Sequence, residues 1–174
     1  MSDEHNATPM TDEETAAFAE QVFDRARQGD AQMLARLLES GLPANLRNHK
    51  GDSLLMLASY HGHVDAVKVL LQHGADPQIA NDNGQLPMAG AAFKGDLAMV
   101  QLLVEQGVAV DAASLDGRTA LMMAAMFNRT AIVEYLLSQG ADARRQDAKG
   151  VNALGAAQAM GAADTAAQLQ ALIG

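Results

Sequence analysis

The chain has 174 residues, a formal charge of −9 and no cysteine. The acidity argues against electrostatic capture of nucleic acid or an anionic membrane, and the missing thiols exclude disulfides, thiol catalysis and cysteine-ligated zinc. Hydrophobic residues make up 49% of the chain but aromatics only 3%, so Leu, Val, Ala and ten Met must fill the core.

The first stretch, "MSDEHNATPMTDEET", is acidic and carries neither a basic n-region nor an apolar h-region, so a secretory signal is not expected. No apolar run approaches the roughly 20 residues that a membrane helix needs. The expected location is cytoplasmic, with residues 1–10 as a disordered tail. Thr11 and Glu14 have the spacing of a capping box. The helix they open is expected to place Phe18, Val22 and Ala26 on one face. No turn-forming stretch precedes it, so it reads as an N-terminal cap joined to the first of a series of units.

Beyond this helix the sequence repeats every 33 residues. Gly51, Gly84, Gly117 and Gly150 form one column, and Gly41, Gly74, Gly107 and Gly140 a second. A third runs Gly29, Gly62, Gly95, Asn128 and Gly161, and a fourth Leu37, Leu70, Leu103, Leu136 and Leu169. The first column sits in polar stretches such as "ANDNGQ" and "SLDGR", which suit exposed hairpins. The second follows a leucine-rich helix. Val67, Leu70 and Leu71 have the spacing of one buried stripe, repeated by Val100, Leu103 and Val104 and by Val133, Leu136 and Leu137. The third column falls between two helices, where a left-handed residue ends the first helix at little cost. Asn is the usual second choice there, so replacing Asn128 with Gly is expected to be neutral or stabilising. One such unit cannot bury its apolar face alone, so neighbours must stack. In the last unit Thr165, Gln168 and Gln170 stand where other copies are more apolar, as an outward-facing cap requires.

These columns resemble the ankyrin repeat. The family's Gly-x-Thr-Pro-Leu-His-x-Ala-Ala is echoed by "GDSLLMLAS", "GQLPMAGAA", "GRTALMMAA" and "GVNALGAAQ", and "GHVDAVKVLLQHGAD" matches the rest of the unit. The resemblance covers residues 17–174. It implies an all-α solenoid of about five helix-turn-helix units with hairpin-like loops, at 11–47, 48–80, 81–113, 114–146 and 147–174. The family's proline survives only as Pro87, and its histidine is replaced by Met56, Ala89, Met122 and Gly155. Methionine packing is expected to take the place of that histidine's hydrogen bonds between loops.

Candidate chemistry is sparse. The histidines are His5, His49, His61, His63 and His73, and the "HGH" at 61–63 tempts as a metal motif. An i, i+2 pair across a helix-ending glycine shares no helix face, and no Cys or carboxylate pair completes a ligand set. His63 also matches the family's structural Gly-His turn. Ser53, His49 and Asp52 share an exposed hairpin with nothing to orient them as a triad. No Gly-x-Ser-x-Gly elbow or phosphate-cradling loop occurs. An enzyme is therefore not expected, nor is a cofactor or a resident metal.

One constellation remains. The positions ending the first helix of each unit hold Tyr60, Phe93, Met126 and Ala159, followed by His61, Lys94, Phe127 and Met160. Three of the six aromatics in the chain fall here, on what is expected to be the concave groove. They read either as partner anchors or as packing between helices. The expected function is a non-catalytic protein-protein interaction module, as adaptor, regulator or accessory or immunity protein, acting as a monomer on another protein, one with a basic surface being the fit for its charge. The partner-binding residues are taken as Tyr60, His61, Phe93, Lys94, Met126 and Phe127 in the groove. His49, Lys50, Asp82, Asn83, Asp116 and Arg118 are taken as the hairpin tips. The alternative is a small-molecule or metal-responsive protein built on His49, His61 and Tyr60.

Overall fold

A computed structural model describes residues 8–173. Residues 1–7 of the expected tail lie outside the described residues, and residues 8–10 carry no secondary structure. The described chain is a run of ten helices: α1 (Asp12–Gln28), α2 (Ala31–Glu39), α3 (Leu54–Tyr60), α4 (Val64–Gln72), α5 (Pro87–Lys94), α6 (Leu97–Glu105), α7 (Ala120–Met126), α8 (Thr130–Ser138), α9 (Ala153–Ala159) and α10 (Ala163–Ile173). They form antiparallel pairs that stack in two layers. Helices α1, α3, α5, α7 and α9 follow one another in one layer, and the second helices of the pairs lie behind them. The fold is an all-α repeat solenoid.

Local signals start most of the helices. Thr11 caps α1 through a complete capping box: its side chain accepts from Glu14 N–H at 3.1 Å while Glu14 accepts from Thr11 N–H at 2.9 Å. Ser53, Thr119 and Asn152 cap α3, α7 and α9, whereas α5 starts on Pro87, whose fixed φ suits the first turn. The turn between paired helices is left-handed throughout: Gly29, Gly62, Gly95 and Gly161 have φ between 67° and 78°, and Asn128 has φ 59°.

The leucine column is the spine of the core. Leu70, Leu103, Leu136 and Leu169 are fully buried, and Leu37, at the open end of the stack, is half-buried. The neighbouring layer supplies Leu54, Leu55, Ala91, Ala92, Leu121, Ala124 and Ala157. Alanines dominate because helices of adjacent pairs approach closely, and any larger side chain would hold them apart. Val67, Val100 and Val133 are buried as the stripe requires, while Leu71, Val104 and Leu137 are half-buried.

The ends depart from expectation. On α1, Val22 and Ala26 are buried, but Phe18 is exposed and Phe23 is the buried aromatic. Among the described residues no earlier pair covers Phe18; with Met33 and Leu37 it lines a cavity of about 90 Å³. Of the three polar residues expected to face outward on α10, only Gln170 is exposed. Thr165 is fully buried and Gln168 half-buried. The Thr165 hydroxyl donates to the Ala125 carbonyl at 2.7 Å, so a polar residue in the last pair serves the joint rather than the surface.

Between the helix pairs the chain forms four tip loops, closed by hydrogen bonds from Asn48 N–H to Asp52 C=O, Asn81 to Gln85, Ser114 to Arg118 and Asp147 to Val151. Two carry isolated antiparallel bridges, Arg47 with Ser53 and Ala113 with Thr119. They are hairpin-like turns rather than strands.

Candidate functional site

The tip loops lie at the N-terminal ends of α3, α5, α7 and α9, and the left-handed turns at their C-terminal ends. A helix of seven or eight residues is about 11 Å long, so the twelve candidate residues divide into two groups. His49, Lys50, Asp82, Asn83, Asp116 and Arg118 are exposed on the loops. Tyr60, His61, Phe93, Lys94, Met126 and Phe127 lie at the helix ends.

Within the second group the structure makes two clusters. Lys94 Nζ stands 4.7 Å from the centroid of the Tyr60 ring, and His61 meets that ring edge-on at 5.6 Å. Phe93 and Phe127 pack edge to face at 4.8 Å, and with Met126 they rest half-buried against the core. The two sequence readings therefore divide by position. Phe93, Phe127 and Met126 are partly packing, while His61 and Lys94 are exposed and Tyr60 is half-exposed. Ala159 and Met160 end the row in solvent.

Tyr60 also links the two groups. Helical side chains lean toward their own N-terminus, and Tyr60 thereby reaches a cavity of about 180 Å³ that it lines with Asp52, Met56, Leu57, Asn81, Asn83 and Gln85. The polar wall is preset. Asn81 Nδ2 donates to Asp52 Oδ1 at 2.9 Å, and Asn81 Oδ1 accepts the N–H groups of Asn83 and Gln85, each at 3.0 Å. Asn81 and Gln85 were not singled out by sequence, and Asp52 only beside Ser53 and His49 in a hairpin that forms no triad. Their signal is the position three before the loop glycine, polar in every copy as Asn48, Asn81, Ser114 and Asp147, and the position after it, polar as Asp52, Gln85 and Arg118 but Val151 in the last copy. Leu115, fully exposed at its tip, is another omission.

His49 does not join His61 and Tyr60. It sits exposed on its loop and lines none of this cavity. Among the described residues no cluster of three His, Asp or Glu is placed to hold a metal ion. His63 Nε2 instead donates to the Arg27 carbonyl at 2.6 Å, the structural role that its turn position implies. The stacked His61 ring is held below its ordinary pKa, first by burial and then by the charges of His63, Lys94 and Arg27. Asp116 is held below the usual carboxylate range, chiefly by the Ser114 hydroxyl.

The buried methionines behave as expected in one respect. Met56 and Met122 occupy the column of the missing histidine inside the core, and Met56 packs under Gly90. The loops are joined by other groups, namely backbone N–H donors, Arg47, Asn45 and Asp111.

Comparison with known proteins agrees with this architecture. The family described as "Ankyrin repeats (3 copies)" matches residues 23–114 and 88–171. An ankyrin repeat protein of Pseudomonas aeruginosa is 66% identical over 61 residues, which is 35% of this chain and 36% of that protein. The match thus spans about a third of the curated relative. Ankyrin repeats are generally protein-protein interaction modules, and among the described residues no helix is long and apolar enough to cross a membrane. The repeated helix pairs, the left-handed turns and the family match make this chain a member of the ankyrin-repeat family.

Proposed function

We propose that residues 11–174 form one domain of five units that binds another protein non-catalytically, as adaptor, regulator or accessory or immunity protein, in the cytoplasm and as a monomer. The observation that carries this reading is the Tyr60 cavity. It joins an aromatic anchor, a cation over that ring and a preset row of amide donors and acceptors, which is how an interface core meets its polar rim. The −9 charge suits a partner with a basic surface. A metal- or small-molecule-responsive role gains no support, because His49 stands apart from His61 and Tyr60.

The test compares capture of a partner from a lysate of the source cells by the parent chain and by Tyr60→Ala/Lys94→Ala. Truncating a central anchor pair should weaken binding by about 2–4 kcal/mol with an unchanged far-ultraviolet spectrum. Undiminished capture by the folded variant would remove Tyr60 and Lys94 from the interface. Phe93→Ala is the poorer probe, since its ring also packs on Phe127 and the core. With the captured partner in hand, the association rate should fall as salt rises if its surface is basic. A salt-independent rate would assign the acidity to solubility.

A further inference from the structure

The joints between neighbouring helix pairs are not tied alike. The loop at 48–52 is fastened to the loop at 81–85 by Asp82 N–H to Lys50 C=O at 3.0 Å, Arg47 to the Ala80 carbonyl at 2.8 Å and Asn81 to Asp52. The loop at 114–118 is fastened to that at 147–151 by Ala148 N–H to Asp116 C=O at 2.8 Å, and Arg145 reaches the Asp111 carbonyl at 2.9 Å. The same register requires Leu115 N–H to meet Asn83 C=O. Among the described residues no hydrogen bond joins residues 76–86 to residues 109–119.

Three further observations mark the same gap. A Cβ on Gly51 would strike Asp82, and one on Gly117 would meet the backbone of Asp147 and Ala148 at 3.1–3.2 Å, but Gly84 has nothing within 4 Å. Leu115, at the loop tip, is fully exposed. A cleft of about 670 Å³ opens along Ala80, Asp82, Gly84 and Leu115. The cause is in the sequence. Asn45 and Asp111 accept N–H groups of the next loop, and Arg47 reaches the next carbonyl, whereas the 33-residue counterparts Gln78 and Ala80 make no such tie. The far end of this joint is closed: Arg129 donates to the Phe93 carbonyl at 3.1 Å, and Phe93 packs on Phe127.

We propose that the joint between the α5–α6 and α7–α8 pairs is a built-in hinge, clamped at the Arg129–Phe93 end, about which the tip loops at 81–85 and 114–118 part. A joint held at one end and free at the other has one soft motion, and the alanine-rich contact between α5 and α7 allows a small rocking without opening a void. The motion widens or narrows the cleft beside Leu115 while each flanking half keeps its own loop ties.

The chain has no native cysteine, so pairs of nitroxide labels can be placed cleanly. His49, Asp82, Leu115 and Ala148 are exposed and stand 33 residues apart on successive tips. Double electron-electron resonance on Asp82→Cys/Leu115→Cys should give a distance distribution at least twice as wide as His49→Cys/Asp82→Cys or Leu115→Cys/Ala148→Cys. Adding Gln78→Asn and Ala80→Arg, which supply the missing ties, should narrow it to the width of the other two. Equal widths at all three joints would overturn the hinge, as would a broad middle distribution that the added ties leave unchanged in a folded chain.

Discussion

Asn128 gives the sharpest test of how neighbouring units hold one another. Its φ of 59° confirms the left-handed turn, and on that ground alone glycine should serve as well or better. The side chain reverses this expectation. Asn128 Oδ1 accepts the N–H groups of Asp164 and Thr165, each at 3.1 Å, and Nδ2 donates to Asp164 Oδ2 at 3.0 Å. These are donors in the first turn of α10, whose own N-cap position is held by Ala162, a residue with no side-chain acceptor. Asp30 and Asp96, at the same position in other pairs, accept from Met33 and Met99 N–H, each at 3.1 Å. Asn128 thus caps the helix of the next pair.

Losing an Asn cap costs about 1 kcal/mol. The relief of left-handed strain, about 1 kcal/mol for an L residue, is offset by the greater freedom of glycine in the unfolded chain, about 0.4–1 kcal/mol. Asn128→Gly should therefore destabilise by about 1 kcal/mol, a drop in melting temperature of about 2–4 °C. Asn128→Gly/Ala162→Asp recreates the Gly62 and Asp96 arrangement and should recover most of the loss. Asn128→Val forfeits the cap and adds a β-branched residue at positive φ, costing about 2–4 kcal/mol. Urea unfolding with an unchanged m-value measures all three. An Asn128→Gly protein as stable as the parent, or one that Ala162→Asp cannot rescue, would refute the cross-unit cap.

Gly84→Ala should cost about 1 kcal/mol from its left-handed backbone alone, while Gly117→Ala adds a clash with the Asp147–Ala148 backbone and should cost more; equal losses in urea midpoint would contradict the open joint. Thr165→Val removes the buried bond to the Ala125 carbonyl at nearly constant volume and should cost about 1–2 kcal/mol, with amide exchange speeding first in α10; unchanged stability would deny that bond any weight. His61 is held below its ordinary pKa in the folded chain, so the unfolded chain binds the proton first as pH falls. Its contribution is complete above about pH 6.5 and declines below it, so His61→Asn should flatten the fall in stability between pH 7 and 5, and parallel profiles would rule this out.

The sequence made the backbone legible and left the ties between units hidden. A column of glycines reports a backbone conformation that each unit needs by itself, and all five turns are left-handed as read. The leucine column likewise reports burial, which the stack enforces equally wherever an earlier pair precedes; Leu37 differs because, among the described residues, none does. Phe18 was misplaced for the same reason, since amphipathic spacing cannot say which end of a stack is open. Thr165 and Asn128 failed differently. Their polarity suggested a surface and a tolerated substitution, but each side chain bonds to atoms 36 to 40 residues away. Such bonds depend on a pair of positions, and one column shows only one member. The signal was present in two columns taken together: Asn appears at 128 where the next unit has Ala at 162, and the loop ties vanish where Gln78 and Ala80 replace the pattern of Asn45 and Arg47. A repeat protein is thus read most fully from its departures, compared across the joint they share.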